Sequence, residues 1–193
     1  MRPLAVLIAC CTLAAASMAG CGGSDADSGS VPTPSEARAA LRGAPPQLRA
    51  LHEQASELLP GGTDAFRRRL AELRGYPVVV NAWGSWCGPC KEEFPVFQRV
   101  AVRYGSGVAF VGLDVTDPVG DARDWLRDHW VSYPSFLDPD SKIARSVGAT
   151  VGLPTTVYFD RDGERAYAHQ GPYRDDKALE ADLQRYAGAT PNP

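Results

Sequence analysis

Five residues, Trp86-Cys87-Gly88-Pro89-Cys90, have the types and the spacing to do chemistry. Two cysteines with two residues between them can close a disulfide and open it again, so the stretch reads as a dithiol that cycles between oxidised and reduced forms. The flanking pattern says how each sulfur would behave. Val78 to Trp83 is an apolar run of the kind expected of a strand buried on both faces. Phe94, Phe97, Ala101 and Tyr104 then recur at helical spacing, so the motif sits where a strand hands over to a helix. A thiolate there meets unpaired N–H groups and the positive end of the helix dipole. This assigns attack to Cys87. Cys90, one turn into the helix, is more enclosed and within reach of Cys87, which suits it to resolve a mixed disulfide by exchange.

A Cys-X-X-Cys pair can also be half of a zinc site. Zinc would need two further ligands, yet the other cysteines, Cys10, Cys11 and Cys21, lie near the N-terminus, and His52, His129 and His169 are scattered. No metal is expected. A static disulfide staple is disfavoured because Gly-Pro between the cysteines favours a helix start.

The block Asn81-Ala82-Trp83-Gly84-Ser85-Trp86-Cys87-Gly88-Pro89-Cys90-Lys91-Glu92-Glu93-Phe94-Pro95 resembles the active-site block of the TlpA and ResA family of extracytoplasmic, thioredoxin-like thiol-disulfide oxidoreductases. Gly152-Leu153-Pro154-Thr155-Thr156 resembles that family's cis-proline loop, and Asp160-Arg161-Asp162-Gly163 its hairpin turn. The likeness runs from about Gly75 to Tyr186. It implies a thioredoxin-like α/β fold and a redox-active Cys87–Cys90 disulfide with no other cofactor. A cis bond at Pro154 would set backbone groups opposite the dithiol, so that Leu153 and Pro154 face substrate together with Trp86, Gly88 and Pro89. The alternative is an ordinary trans proline opening a strand.

Residues 1–20 read as a secretory signal: Arg2 is a minimal positive start, Leu4 to Ala16 an apolar segment too short for a comfortable membrane span, and small residues lead to Cys21. Met18-Ala19-Gly20-Cys21 resembles a bacterial lipobox, which implies cleavage before Cys21 and lipidation of its sulfur. An ordinary signal with an incidental cysteine is the alternative. The remaining 173 residues are ample for one domain. They hold nineteen basic against 23 acidic residues, and no basic stripe with aromatic interleaving suggests nucleic acid.

Residues 21–34, rich in Gly, Ser, Asp and Pro, have little to bury and read as a disordered tether. Residues 35–74 read as a helical extension, with Ser35 to Leu41 and Gln47 to Leu59 as helices. A third is capped by Thr63 or Asp64, with Phe66, Leu70 and Leu73 inward and Arg67 to Arg69 outward. This departs from the β-hairpin with which the resembled proteins usually begin. Residues 75–188 form the expected thioredoxin-like domain, a central mixed sheet flanked by helices. Val108 to Val115 is its second strand and Pro118 to Trp130 an inserted helix. A short helix spans Ser141 to Val147, a hairpin turns at Asp160 to Gly163, and a helix closes the chain from Asp175 to Tyr186. Pro95 inside the active-site helix should either kink or shorten it.

Two positions qualify the resemblance. Thioredoxin has a buried aspartate where this chain has Asn81, so that proton acceptor is expected to be absent. Asp117 matches an acidic residue that ResA-like proteins carry near the resolving cysteine, but Asp117-Pro118 also suits a helix N-cap followed by proline. The resemblance implies a monomeric enzyme, lipid-anchored at the extracytoplasmic face of the membrane. It would reduce cysteines of exported proteins, apocytochrome c among them, and draw electrons from a membrane carrier of the CcdA type. An oxidant that forms disulfides is the first rival reading, a thiol peroxidase the second, and a metal-delivery module the third.

Overall fold

The computed structural model of the chain describes residues 29–192. The expected signal segment, Cys21 as its expected lipidation site and residues 22–28 of the expected tether lie outside the described residues. In chain order the elements are α1 (Pro34–Ala40), α2 (Pro46–Glu53), β1 (Leu58–Leu59), α3 (Gly62–Glu72), β2 (Val78–Trp83), α4 (Gly88–Tyr104), β3 (Ala109–Val115), α5 (Val119–Asp128), β4 (Ser135–Asp138), α6 (Lys142–Val147), β5 (Thr155–Phe159), β6 (Arg165–Gln170) and α7 (Asp176–Ala187).

The six strands form one sheet in the order β1-β4-β3-β2-β5-β6. The β1, β4, β3 and β2 ladders are parallel, and β5 and β6 run antiparallel on the other edge. Successive side chains on a strand point to opposite faces, and β2 shows it. Val79 and Trp83 join Phe94, Phe97, Phe110, Tyr158 and Leu183 on one side. Val78, Val80 and Ala82 join Leu48, Leu51, Phe66, Leu113 and Ile143 on the other. The expected mixed sheet with helices on both faces is therefore what the chain builds, and β2, fully buried along its length, delivers the Cys-X-X-Cys stretch from its centre.

The N-terminal residues differ from the expectation in three places. The helix expected over 47–59 stops at Glu53, and Leu58-Leu59 pairs in parallel with Ser135-Phe136 as an edge strand. Leu58 and Leu59 fit a helical stripe and an edge strand equally well in sequence; what decides is Ser56, at φ 57, which exchanges hydrogen bonds with Val131 and donates its N–H to the Tyr133 carbonyl. Neither Thr63 nor Asp64 caps α3. Its N-cap is Gly61 at φ 113, where a Cβ would come 2.6 Å from that of Ala65, so the helix starts earlier, at a backbone conformation that only glycine takes cheaply. Arg69, expected outward with Arg67 and Arg68, is half-buried against Gln54 at 2.8 Å.

The layer formed by α1 and α2 docks on the end of α4. Thr33 and Glu36 close a capping box on α1, and Ala37, Leu41, Leu48 and Leu51 are buried. His52 reaches two carbonyl oxygens, Ser132 at 3.0 Å and Gly105 at 2.9 Å. Helix α4 is not shortened by Pro95 but runs through it. Helix α5 ends at Asp128, earlier than expected, and His129 stacks on Trp125 with ring centroids 3.5 Å apart.

Candidate active site

Cys87 is the N-cap residue of α4, and its sulfur accepts the Cys90 N–H at 3.2 Å. The position follows from the local sequence: Gly88 and Pro89 occupy the first helical positions, where proline's missing N–H costs nothing. The turn that enters the helix is closed by the Cys87 N–H donating to the Gly84 carbonyl at 3.0 Å. Cys87 and Cys90 form a disulfide with Cα atoms 5.3 Å apart. Both cysteines are buried, Cys87 at 5% and Cys90 at 1% exposure, and Cys87 is flanked by the exposed Trp86, Gly88 and Pro89. In the reduced protein the same N-cap geometry sets helix N–H groups against a Cys87 thiolate.

The sequence-selected residues converge around these sulfurs. Trp86 is 59% exposed, and Gly88 and Pro89 are exposed beside it. Trp86 and Leu153 line one groove of about 420 Å3 together with Val115, Thr116, Arg145 and Thr150. Leu153 also packs against the cluster that contains both cysteines. The Leu153–Pro154 peptide is cis. The Pro154 carbonyl accepts the Gly171 N–H at 3.0 Å.

Asp117 is brought to the site, though not as a cap. The N-cap of α5 is Pro118, without a side-chain cap bond. The buried Asp117 carboxylate instead accepts the Ser85 N–H at 2.6 Å and the Ser85 hydroxyl at 2.8 Å. The capping expectation fails because β3 is followed by Thr116 at φ 60, which turns Asp117 back toward the Gly84–Cys87 turn and away from α5. Asp117 thus pins the turn that presents Trp86 and Cys87.

The strand acid is absent, as expected: Asn81 stands in its place and serves as a donor. Asn81 Nδ2 donates at 2.8 Å to Glu93, whose other oxygen accepts the Tyr173 N–H at 3.1 Å. Glu93 is wholly buried and stands three residues after Cys90 on the same helix, a spacing that puts the two on one face. Burial pushes its carboxyl up to about 7, against the two hydrogen bonds that pull it down. A buried acid therefore stands behind the dithiol, carried by the helix instead of the strand. Sequence reasoning passed over it because Glu92-Glu93 looks like a solvated pair; the signal was the Cys90-to-Glu93 spacing. Ser85, the partner of Asp117, and Asp114, whose carboxyl is pushed up to about 8 by burial, by its contact with Asp117 and by the charges of Asp117 and Asp138, were likewise passed over.

The chain is similar to known proteins. The chain is 31% identical over 103 residues to "Thiol-disulfide oxidoreductase ResA" of Bacillus subtilis, covering 53% of this chain and 57% of the relative. It is 35% identical over 107 residues to "Thiol:disulfide interchange protein DsbE" of Pseudomonas aeruginosa, covering 54% and 57%. The match thus spans little more than half the length of these curated relatives. Among solved structures, a putative DsbE from Chlorobium tepidum superposes with TM-score 0.56 at 29% identity, covering 61% of this chain and 84% of that one. A DsbF homologue from Corynebacterium diphtheriae does so with TM-score 0.56 at 31% identity, covering 60% and 75%. The fold is thioredoxin-like. The AhpC/TSA family model matches residues 54–168, a stretch that takes in both cysteines, Glu93 and Pro154, and the chain belongs to the AhpC/TSA family.

Proposed function

We propose that the protein is a thiol-disulfide oxidoreductase that reduces disulfides in exported proteins through Cys87 and Cys90. The observation that carries this reading is the asymmetry of the dithiol: Cys87 is the N-cap residue of α4, flanked by exposed residues, whereas Cys90 lies inside the helix, one turn from Glu93. The Cys87 thiolate attacks a substrate disulfide, forming a mixed disulfide and releasing one substrate thiolate. The Cys90 thiol then passes its proton to the Glu93 carboxylate and attacks the Cys87 sulfur. The second substrate thiolate leaves, and the Cys87–Cys90 disulfide carries the two electrons' worth of oxidation. A carboxyl held near 7 can take and return that proton at neutral pH. Trp86 and Leu153 form the groove for the substrate chain, with Gly88, Pro89 and Pro154 around it.

The relatives' names support exchange chemistry, and the ResA likeness supports the reducing direction, with apocytochrome c as one substrate and a membrane dithiol carrier of the CcdA type as reductant. Cys21 carries the lipid that holds the monomer at the extracytoplasmic face of the membrane. Cys21→Ala is expected to move the protein from the membrane to the soluble fraction, and unchanged membrane association would contradict the anchor. Direction is tested by equilibrating the Cys87/Cys90 couple with glutathione. A potential near or below that of thioredoxin, about −270 mV, fits a reductant, and one near that of strong disulfide-forming oxidants, about −120 mV, would reverse the assignment.

A further inference from the structure

Asp114 lies near the end of β3, in register beside Trp83 of β2. It is fully buried, and neither of its carboxylate oxygens meets a hydrogen-bond donor from any described residue. An ionised carboxylate in that position is costly. The groups that act on it are themselves acids, Asp117 and Asp138. Asp138 is engaged elsewhere, accepting the Ile143 and Ala144 N–H groups at 3.0 and 2.8 Å. On the sheet face that Asp114 shares with Trp83, α4 carries Glu93, held by Asn81 and Tyr173. It also carries the joined cysteines and Lys91, whose ammonium sits 4.8 Å from the Trp125 ring. The charged residues of α5 are exposed to solvent. Among the described residues Asp117 alone remains as a partner. Two carboxyl groups in contact are both satisfied in one way, with a proton between them.

We propose that Asp114 and Asp117 share one proton in the folded protein, and that this proton makes Asp114 a positioning residue for the turn that presents Cys87. Asp114 donates to Asp117, and Asp117 in turn accepts the Ser85 N–H and hydroxyl. Ser85 lies inside the Gly84–Cys87 turn. Thr116, between the two aspartates, holds φ 60, a conformation that a β-branched residue seldom takes. Each carboxylate oxygen has two lone pairs, so Asp117 can serve Ser85 and Asp114 together. Burial, contact with Asp117 and the neighbouring charges hold the Asp114 proton up to about pH 8. Above that pH a second negative charge faces Asp117, and its repulsion acts on the clamp that holds Ser85.

The coupling to chemistry rests on Cys87 being the attacking sulfur, so the test has one arm that does not. In the oxidised wild-type protein labelled with 13C at aspartate carboxyls, an NMR titration is expected to show one aspartate ionising near pH 8, with the Asp117 signal moving alongside it. Complete ionisation of every aspartate below about pH 6 would overturn the shared proton whatever the activity. The second arm follows Cys87 alkylation by iodoacetamide against pH in the reduced wild type and in Asp114→Asn, whose amide can donate to Asp117 without titrating. The variant is expected to follow a single thiolate titration, and the wild type to fall roughly three- to tenfold below it above pH 8. Superimposable profiles would overturn the positioning role. Should Asp114→Asn fail to fold, the labelled wild-type protein still decides the proton.

Discussion

Asn81 donates its side-chain amide to Glu93 at 2.8 Å, and this bond joins the strand that delivers the dithiol to the helix that carries it. The carboxyl it holds is buried and lies one helical turn from Cys90. For Glu93→Gln, which keeps the shape but cannot take a proton, resolution of a mixed disulfide at neutral pH is expected to slow. The loss should be roughly a hundredfold, the lower end of what a positioned acid–base group supplies. Alkylation of Cys87 should stay close to wild type, because the attacking sulfur does not depend on Glu93. Stopped-flow measurement of both steps separates the two rates; an unchanged resolution rate would remove Glu93 from the chemistry.

The same carboxyl makes a statement about stability. Glu93 holds its proton up to about 7 in the folded protein and gives it up near the ordinary glutamate value when unfolded. Between those two values the folded state binds more protons, so stability falls as pH rises. A shift of this size corresponds to a loss on the order of 3 kcal/mol across the window. The contribution is fully present below the unfolded value and gone above the folded one. Urea unfolding of the oxidised protein between pH 4.5 and pH 7.5 is expected to show the decline, and Glu93→Gln to flatten it. A slope of equal size in the variant would place its origin elsewhere.

Asp117 carries a prediction of the opposite kind, local in place of global. For Asp117→Ala, the Ser85 N–H loses its acceptor, at a cost of about 1–3 kcal/mol if it stays buried. Helix α5 loses nothing, because its N-cap is Pro118. Amide hydrogen exchange is expected to accelerate at Ser85 and Trp86 and to remain unchanged across Val119–Asp128. Faster exchange at the start of α5 would restore the capping role that the structure denies.

These cases mark where the sequence is legible. The buried run Val78 to Trp83 and the helical spacing of Phe94, Phe97, Ala101 and Tyr104 are local patterns, and from them the sheet, the active-site helix and the placement of both cysteines follow. What is not local is harder to read. Glu93 meets Asn81 only because β2 and α4 pack together, and Glu92-Glu93 alone looks like any solvated pair. Asp117-Pro118 has the residue types of a cap, and it takes the backbone of Thr116 to aim the carboxylate at Ser85. Leu58-Leu59 continues the stripe of α2 until the free edge of β4 claims it.

Gly105 tests how the N-terminal layer is held. A Cβ there would lie 2.5 Å from the Ala101 carbonyl oxygen, 2.8 Å from Leu41 and 3.0 Å from His52. Its backbone is right-handed helical, so the clash and not the conformation is what a substitution meets. Gly105→Ala is expected to cost about 1–3 kcal/mol, as overpacked interiors do, and to raise protease sensitivity within α1 and α2 while leaving the dithiol reactive. A variant as stable and as protease-resistant as wild type would show that this layer adapts without loss.

Mixed-disulfide capture tests the central assignment most directly. A cysteine-containing protein substrate is incubated in its oxidised form with reduced Cys90→Ala and, in parallel, with reduced Cys87→Ala, and the adducts are resolved by non-reducing electrophoresis and mass spectrometry. Cys90→Ala is expected to accumulate an adduct through Cys87, because attack survives and resolution does not. Cys87→Ala is expected to accumulate none, since Cys90 lies inside α4 and lacks the N-cap position that stabilises a Cys87 thiolate. Equal capture by the two variants, or capture by Cys87→Ala alone, would contradict the account.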